Sequence, residues 1–412
     1  MTVTKFGLGQ PLRRVEDRRL ITGEGNYGDD HAPAGCLHAA LLRSPHAHAT
    51  FTITDVEAAR AMPGVHLVLT AEDVVGLGDI KCQAPLPNGD GSQNHVANIP
   101  LLAKGSVKHI GDAVAFVVAD TLIQARDAVE AIGIDYEVRP AVVGIRGAIA
   151  GGASAVWDEQ PDNVSFDSTM GDKAPVDAAF AKAAKVVKVE VENQRLVTNY
   201  METRSVVAEY DSGAKRFTLT IPSQGVHGLR KTLTGVLGVT KDQIRVVTGD
   251  VGGGFGTKTF TYREYPLAAE AARRLDRPVK WVSERGEHFV ACTQGRDNLS
   301  VGEVALDADG TFLAMRFDVI GDLGAYLSQY GPYIPYLGAT MLTGVYKTPA
   351  VFVRVRGVYT NTVPVDAYRG AGRPEAAYLI ERLVDRAARE TGISPAEIRR
   401  RNFIPPSAMP YT

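Results

Sequence analysis

Residues 249–258 read GDVGGGFGTK, and this glycine-rich stretch decides how the rest of the sequence is interpreted. A glycine run before a lysine suggests a phosphate-binding loop, because bare backbone can approach an anion closely. The nucleotide-triphosphate loop requires glycine directly before the lysine, but Thr257 precedes Lys258 here. The dinucleotide fingerprint fails at the same residue, since a run starting at Gly252 would need a third glycine there. The stretch therefore matches neither phosphate motif.

The flanking sequence places the glycine run in a connection between two elements. Residues 244–247, which read IRVV, predict a strand before it, and residues 267–275 predict a helix after it. In this position the backbone N–H groups can converge on an acceptor beside a helix start. A tight strand-to-helix turn is the alternative. Three consecutive glycines lose much conformational entropy on folding, which favours close approach of the backbone to a ligand.

Composition limits the classes of protein that the sequence can represent. The chain has 412 residues, of which 45% are hydrophobic, and a formal net charge of −2. This length predicts two or three domains, and the near-neutral charge argues against a nucleic-acid partner. Without an apolar leader or a run of about 18 apolar residues, we expect a cytoplasmic protein with no membrane span. The three cysteines lie far apart, which excludes a thiolate-bound cluster within this chain, and we expect them to be small core residues.

The pattern along the chain predicts an arm at 1–19, a mixed α/β domain at 20–140, a Gly-rich connector at 141–163 and a second domain at 164–412. Periodicity, turn signals and caps define the individual elements. The predicted elements are strands at 65–70, 113–120 and 244–247, helices at 121–132, 226–238, 267–275 and 376–390, a hairpin within 299–321, and a helix capped by Ser394.

Two other loops carry candidate binding residues. Gln224 ends a predicted strand and could offer an amide to a ligand, although on the sequence alone a helix cap is favoured. Arg369 lies among glycines before a helix, where a guanidinium suits recognition of an oxyanion or oxo group. Pairing of Arg369 with Glu375 or Asp366 is equally compatible with the sequence, so both interpretations stay open.

Histidines give a weaker signal. His46 and His48 stand two residues apart in an apparent strand, which would put both rings on one face as a possible metal pair. A zinc site needs a third or fourth ligand, and none is evident nearby. A structural role is therefore favoured for both.

Seven motifs spread over almost the whole chain resemble one family, the molybdopterin-binding large subunit of the molybdenum hydroxylases (xanthine dehydrogenase, aldehyde oxidase and carbon monoxide dehydrogenase). They are RRVEDRRLITGEGNYGDD at 13–30, SPHAHA at 44–49, NYMETRSVVAEYD at 199–211, SQGVHGLR at 223–230, GDVGGGFGTK at 249–258, GDLGAY at 321–326 and AYRGAGRPEA at 367–376. The resemblance covers the N-terminal half of such a subunit. It implies an α+β fold, with an N-terminal aldehyde oxidase/xanthine dehydrogenase α/β hammerhead domain followed by the first half of the molybdopterin-binding domain.

The resemblance also implies a set of site residues. Gln224 would lie beside the apical oxo group of molybdenum, and Phe255 would lie in a loop against the pterin and the metal's ligands. Arg369 would stand close to substrate. The implied cofactor-binding residues are Gln224, Gly253, Gly254, Phe255, Gly256, Ala367, Tyr368, Arg369 and Gly370, with Gln224, Phe255 and Arg369 also catalytic. The pterin sulfurs hold the metal in this family, so no protein ligand to molybdenum is implied.

The family resemblance implies a cofactor, partners and a reaction. The cofactor would be molybdopterin with molybdenum, in bacterial relatives typically in the cytosine dinucleotide form. Such enzymes hydroxylate an aldehyde or aromatic N-heterocycle with oxygen from water, and electrons pass to iron–sulfur clusters and FAD on partner subunits. Carbon monoxide oxidisers carry a copper-binding cysteine directly after the arginine, where this chain has Gly370, so carbon monoxide oxidation is disfavoured.

The catalytic base of the family is a glutamate in the later half of the large subunit. We expect a separate polypeptide to supply it, because the sequence stops after a capped helix in a Pro-rich loop; a truncated product is the alternative. Glu202 could be considered as a substitute base, but a structural carboxylate is favoured. A non-catalytic pterin-binding or assembly scaffold is the rival function, and a nucleotide phosphate-binding enzyme is a weaker third.

Overall fold

The computed structural model describes residues 9–84 and 86–411, so residues 1–8 of the predicted arm lie outside the described residues. The chain folds into mixed α/β layers, which confirms the α+β class. The strands are β1 (Leu37–Arg43), β2 (Ala49–Asp55), β3 (Val65–Leu69), β4 (Ser106–Val107), β5 (Ala113–Ala119), β6 (Gly133–Val138), β7 (Val164–Gly171), β8 (Lys185–Asn193), β9 (Ser205–Asp211), β10 (Arg216–Thr220), β11 (Ile244–Val247), β12 (Val279–Val282), β13 (Asn298–Leu306), β14 (Phe312–Gly324) and β15 (Val351–Tyr359).

Helices connect and cover these strands. The α-helices are α1 (Asp17–Ile21), α2 (Glu57–Arg60), α3 (Leu122–Glu130), α4 (Ile145–Ala148), α5 (Lys173–Lys182), α6 (Val226–Leu237), α7 (Glu264–Leu275), α8 (Arg285–Ala291), α9 (Tyr333–Ala339), α10 (Arg373–Thr391) and α11 (Pro395–Asn402). Short 3-10 turns lie at Gly28–Asp30, Ala71–Val74, Lys241–Gln243, Thr257–Thr259 and Pro406–Ala408.

Strands from both predicted domains share one sheet. Within the described residues, seven strands line up in the order β11-β10-β9-β12-β1-β5-β3, and β1 pairs in parallel with β12. A second sheet has the order β7-β15-β14-β13-β8, and a small third sheet has β4-β2-β6. The join between β1 and β12 ties the N-terminal domain to the second one through backbone hydrogen bonds. The boundaries at 140 and 163 stay a prediction.

Burial explains why these strands and helices form. Every residue of β5 is buried, as expected for a continuous apolar run in a strand covered on both faces. Helix α7 is also buried over residues 264–272 and packs against β9 and β12, so it forms the centre of the main core. The five-stranded sheet is covered by α10, which contacts β8 and β13. The site described below lies on the loops that follow β10 and β11 and on the loop that precedes α10.

Most predicted elements are confirmed within a few residues. Helices α7 and α10 begin three residues earlier than predicted, at Glu264 and Arg373. Gly392 ends α10 in the left-handed conformation, with φ of 75°. Ser394 caps α11 by accepting a hydrogen bond from the backbone N–H of Glu397 at 3.2 Å, while the Glu397 carboxylate pairs with Arg400 and Arg401 rather than closing a capping box.

The predicted strand through His46 and His48 is wrong. These residues lie in the turn between β1 and β2, because Pro45 lacks a backbone N–H for the ladder and Ser44 Oγ accepts a hydrogen bond from the His46 N–H at 3.0 Å. His48 is buried, with Nδ1 at 2.9 Å from the carbonyl oxygen of Pro140, and the His46 ring packs edge-on against Tyr136. Both histidines therefore have the structural role that was favoured.

Two further expectations need correction or comment. Cys292 is fully buried as expected, but Cys36 and Cys82 are only half-buried.

The predicted connector contains α4, and its residues Val142 and Ile145 are buried against the five-stranded sheet. No helix among the described residues has the length and apolar character needed to cross a bilayer.

Candidate cofactor-binding site

The site forms where loops follow two adjacent parallel strands. β10 and β11 pair in parallel, so their carboxyl ends meet at one edge of the seven-stranded sheet, a frequent location of ligand sites. The β10 loop carries Ser223 and Gln224, and the β11 loop carries the glycine run. The hydroxyls of Ser223 and Thr248 lie 2.9 Å apart and join the two loops at their base. Parallel pairing thus brings together two loops that are distant in sequence.

The backbone conformation of the glycine loop would be strained if its glycines were replaced by other residues. Gly253 and Gly256 have φ values of 97° and 110°, and Phe255 between them has φ of 47° with its side chain 43% exposed. A Cβ on Gly254 would lie 2.5 Å from Oε1 of Gln224. The glycines are therefore required by the close approach of neighbouring protein atoms as well as by backbone conformation.

Gly256 provides a direct test of this packing. A Cβ there would lie 2.3 Å from the carbonyl oxygen of Ala367, and the positive φ disfavours any L side chain. We expect Gly256→Ala to lower the free energy of unfolding by about 2–3 kcal/mol, measured by urea denaturation. Gly228→Ala is the matched control, because the added methyl on α6 meets nothing within 4 Å and should be neutral or stabilising. Equal effects of the two substitutions would contradict the packing described here.

Gln224 is bound to the glycine loop rather than to a helix end. Its Oε1 accepts a hydrogen bond from the Gly256 N–H at 2.8 Å, and α6 begins after Gly225 without a side-chain cap. The helix-cap alternative is therefore wrong. The Gln224 side chain is exposed, and its amide nitrogen has no hydrogen-bond partner in the described parts of the chain. This NH₂ group is available to a ligand beside the loop.

The predicted convergence of N–H groups at a helix start is also wrong. Helix α7 begins only at Glu264, after a 3-10 turn, and the N–H groups of Gly252 and Gly256 are bonded to Glu202 and Gln224. The N–H groups of Gly254 and Phe255 make no hydrogen bond within residues 9–84 and 86–411. The loop can therefore offer the two adjacent N–H groups of Gly254 and Phe255 to a ligand, but no helix N-terminus adds its dipole to this site.

A buried ion pair supports the glycine loop from beneath. The Lys258 side chain is fully buried, and its Nζ lies 2.7 Å from Oε2 of Glu202 and 4.5 Å from the centre of the Tyr200 ring. Glu202 also accepts hydrogen bonds from the N–H of Gly252 at 2.7 Å and of Gly28 at 2.9 Å. Burial lowers the pKa of Lys258, while the hydrogen bond to Glu202 opposes this change. Glu202 is thus a structural carboxylate, as favoured from the sequence.

The loop before α10 joins the same site. The Arg369 N–H donates to the carbonyl oxygen of Phe255 at 2.9 Å. The carboxylates considered as partners of Arg369 bind other groups: Glu375 pairs with Arg296 at 3.1 Å, and Asp366 accepts from the N–H of Tyr330 at 2.9 Å. The Arg369 guanidinium is exposed and has no ion-pair partner among the described residues. Its positive charge is available to a ligand.

Asp366 anchors this loop in the core. Burial raises the pKa of Asp366 to about 6, although hydrogen bonds from Ser328, Tyr330 and Ala367 oppose the rise. The pKa is higher in the folded than in the unfolded state, so the stabilisation is complete below about pH 4 and is lost as the pH rises through about 6.

We expect this titration in a comparison of the wild type with Asp366→Asn. The wild-type advantage in unfolding free energy should fall by about 2 kcal/mol between pH 4 and pH 7, measured by urea denaturation at a series of pH values. Asp120→Asn is the control, and its pH dependence should have the opposite sign: the hydrogen bond with His66 lowers the pKa of the exposed Asp120, so the wild-type advantage should fall as the pH is lowered. A difference independent of pH would show that Asp366 titrates normally.

The sequence missed the residues that hold the loops. Arg296 donates to the carbonyl oxygens of Tyr368 at 3.2 Å and Arg369 at 2.6 Å, yet it lies about 70 residues before them. No local pattern identifies such a contact. For Glu202 and Lys258, the only sign of importance in the sequence is that they lie in family motifs. Their burial and their ion pair depend on the fold and could not be predicted from local sequence.

Together, the fold and these loops define a cofactor-binding α+β domain. The family description "Molybdopterin cofactor-binding domain" matches residues 156–403, and "Aldehyde oxidase and xanthine dehydrogenase, a/b hammerhead domain" matches residues 22–140. The chain belongs to this family of molybdopterin-binding large subunits, as its motifs indicate.

Individual relatives agree with this assignment. The chain is 35% identical to the nicotine 6-hydroxylase large subunit of Paenarthrobacter nicotinovorans, covering 98% of this chain and 49% of that protein. It is 38% identical to the carbon monoxide dehydrogenase large chain of Hydrogenophaga pseudoflava, and this match covers 96% of this chain and 50% of that protein. The structure of quinoline 2-oxidoreductase from Pseudomonas putida 86 superposes with a TM-score of 0.90 at 37% identity, covering 97% of this chain and 50% of that one.

Length distinguishes this chain from most of these proteins, since it spans about half the length of the first curated relatives it matches. One relative differs. The nicotinate dehydrogenase large molybdopterin subunit of Eubacterium barkeri is 28% identical, and the match covers 95% of this chain and 88% of that protein.

The site residues fit a molybdopterin. The Gly254 and Phe255 N–H groups, the Gln224 amide nitrogen and the Arg369 cation have no partner among the described residues, so they are free to meet its anionic and oxo groups. Within the described ranges, no group of three His, Cys, Asp or Glu side chains is arranged to hold a metal ion.

Proposed function

We propose that this chain is the molybdopterin-binding part of a molybdenum hydroxylase that oxidises an aldehyde or an aromatic N-heterocycle. The observation that carries the proposal is the junction of three loops, in which Gln224 binds the Gly256 N–H and Phe255 binds the Arg369 N–H. These two hydrogen bonds join the loops that carry the Gln224 amide, the bare backbone of the glycine run and the unpaired Arg369 guanidinium, and membership of the molybdopterin-binding family supports a shared role for them.

Each residue has a distinct proposed role. Gly253, Gly254, Phe255 and Gly256 lie against the cofactor through backbone, with the residues of 367–370 opposite. The Gln224 NH₂ would donate a hydrogen bond to an oxo group of the cofactor, and Arg369 would stabilise negative charge that develops on substrate. The cofactor, proposed in its cytosine dinucleotide form, would supply the two-electron redox chemistry, and water would supply the oxygen that is transferred. Phe255, half exposed, shields the space from water and limits the orientation of a flat substrate.

Names of relatives guide the proposed substrate class. Nicotine and quinoline, in the names of two relatives, are N-heterocycles, and both proteins are at least 35% identical to this chain. Similarity to a carbon monoxide dehydrogenase is as high, so overall identity does not choose between these reactions. Gly370 argues against carbon monoxide oxidation. Its φ is 100°, and an added Cβ would lie 2.3 Å from Pro374 Cγ, so a cysteine would not fit there without movement.

The proposed enzyme contains other polypeptides besides this chain. We propose that a second polypeptide carries the rest of the large subunit with its catalytic glutamate, and that iron–sulfur and FAD subunits take the electrons in a cytoplasmic complex. The match to about half of the first curated relatives supports this proposal, and so does the relative of similar length that is named a large molybdopterin subunit.

Substrate-dependent dye reduction tests this proposal. The chain is purified from its natural host with every subunit that co-purifies, and anaerobic reduction of an artificial electron acceptor is followed with quinoline, benzaldehyde or carbon monoxide. We expect reduction with at least one of the organic compounds and none with carbon monoxide. Reduction with carbon monoxide alone would overturn the substrate class, and no reduction by a complex that contains its cofactors would favour the scaffold.

A further inference from the structure

A strained turn lies directly beneath the Arg369 loop. Arg296 and Asp297, which precede β13, both have left-handed backbone conformations, with φ values of 65° and 66°. Two consecutive non-glycine residues rarely adopt this conformation, because Cβ approaches the backbone closely. Such strain persists only where the surrounding structure fixes it, and it is common at functional sites. The question is what this turn holds in place.

The turn is anchored to the five-stranded sheet. Asp297 pairs with Arg195 at 2.5 Å, and its carbonyl oxygen accepts a hydrogen bond from the Asp322 N–H at 2.9 Å. Arg195 also lies 3.0 Å from Asp322, so one guanidinium joins both carboxylates. These contacts fix Asp297 to β14, while the neighbouring Arg296 side chain contacts the Arg369 loop and Glu375.

Arg296 directs its buried side chain at the Arg369 loop. Its guanidinium donates to the carbonyl oxygens of Tyr368 and Arg369, at 3.2 Å and 2.6 Å, and lies 4.7 Å from the centre of the Tyr368 ring. The other side of Arg369 is fixed by Phe255, whose carbonyl oxygen accepts the Arg369 N–H. The backbone of Arg369 is therefore held from both directions, and its side chain is left to project outward.

Glu375 completes the arrangement at the first turn of α10. Its Oε1 pairs with Arg296 at 3.1 Å, and both residues are more than 90% buried. Its Oε2 is buried without a hydrogen-bond partner in the described structure. Glu375 therefore orients one guanidinium, and that guanidinium binds the two carbonyl groups that set the course of the loop.

We propose that Arg296 and Glu375 are positioning residues that hold Arg369 at the cofactor site. The expected effect on kcat rests on the proposed function, whereas the expected effect on the conformation of the Arg369 loop does not. A lysine at residue 296 keeps the charge, yet its point-like ammonium cannot reproduce the planar fork that meets two carbonyl oxygens and a carboxylate together. Glutamine at residue 375 keeps the shape of the side chain and removes its charge.

The experiment compares Arg296→Lys and Glu375→Gln with the wild type in the complex purified from the natural host. Arg399→Lys is the matched control, because Arg399 joins α11 to Glu381 and Asp385 of α10, away from the loop. Hydrogen–deuterium exchange of the peptide spanning 366–372 is measured by mass spectrometry, together with kcat, KM and molybdenum content. Glu375→Gln, the milder change, carries the test if Arg296→Lys does not fold.

We expect exchange in 366–372 to accelerate at least about tenfold in both variants and to stay unchanged in Arg399→Lys. We expect kcat with the active organic substrate to fall about 100-fold at constant molybdenum content, with a smaller change in KM. Unchanged exchange in 366–372, or a fall in kcat no greater than that of Arg399→Lys, would overturn the positioning role. A wild-type complex without turnover would contradict the proposed function alone, and the exchange comparison would still decide this inference.

Discussion

Replacing Arg369 with alanine is expected to lower kcat by about 10²–10³-fold, the usual loss when one preorganised electrostatic group is removed from an active site. The physical reason is that its guanidinium is exposed, has no ion-pair partner among the described residues and is held by backbone contacts on both sides. A cation fixed in this way loses little freedom when charge develops on substrate. The measurement is steady-state dye reduction with the organic substrate that the wild-type complex oxidises.

Arg382→Ala is the matched control for Arg369→Ala. Arg382 is an exposed arginine on α10, away from the site loops, so it tests for a general effect of lost positive charge. Molybdenum content is measured in both variants, because a variant that loads no metal would lose activity for a different reason. If Arg369→Ala retained wild-type kcat at full molybdenum content, Arg369 would not act on the reaction.

Replacing Glu202 with alanine is expected to lower the free energy of unfolding by about 3–5 kcal/mol, measured by urea denaturation. The substitution leaves the fully buried Lys258 ammonium without its carboxylate and removes the acceptor for the N–H groups of Gly252 and Gly28. An uncompensated buried charge costs far more than the loss of a surface ion pair. Glu190→Ala, which breaks the exposed pair with Arg146, is the control and should cost less than about 1 kcal/mol.

A second variant separates the charge from the other contacts. In Glu202→Ala with Lys258→Met, no charge is left buried, so the double variant should be more stable than Glu202→Ala alone. If the two substitutions were additive, the ion pair would not be the source of the effect. A cost of Glu202→Ala as small as that of Glu190→Ala would show that Lys258 is solvated or paired elsewhere.

Local signals in the sequence predicted most of the fold. The apolar run of β5, the Ser394 cap before α11 and the Asp-Ala-Asp-Gly turn between β13 and β14 are set by neighbouring residues, and each is observed. The strand expected at His46 and His48 failed because Pro45 interrupts it. The parallel pairing of β1 with β12 lay beyond prediction, since no local pattern joins segments about 240 residues apart.

The site was predictable in part. The motifs identify Gln224, Phe255 and Arg369, and the structure brings them together through the Gly256 and Arg369 N–H groups. What the sequence could not decide was the partner of each polar group. Gln224 could have capped α6, and Arg369 could have paired with Glu375; long-range competition decided both, because Gly256 takes the Gln224 oxygen and Arg296 takes Glu375.

The central claim is that the three loops bind a molybdopterin, and cofactor content tests it most directly. The chain is purified from its natural host with its co-purifying subunits, molybdenum is measured by elemental analysis, and the pterin is released and identified with its nucleotide. We predict about one molybdenum and one pterin per copy of this chain, with cytosine as the nucleotide base. An intact complex with neither molybdenum nor pterin would contradict this account.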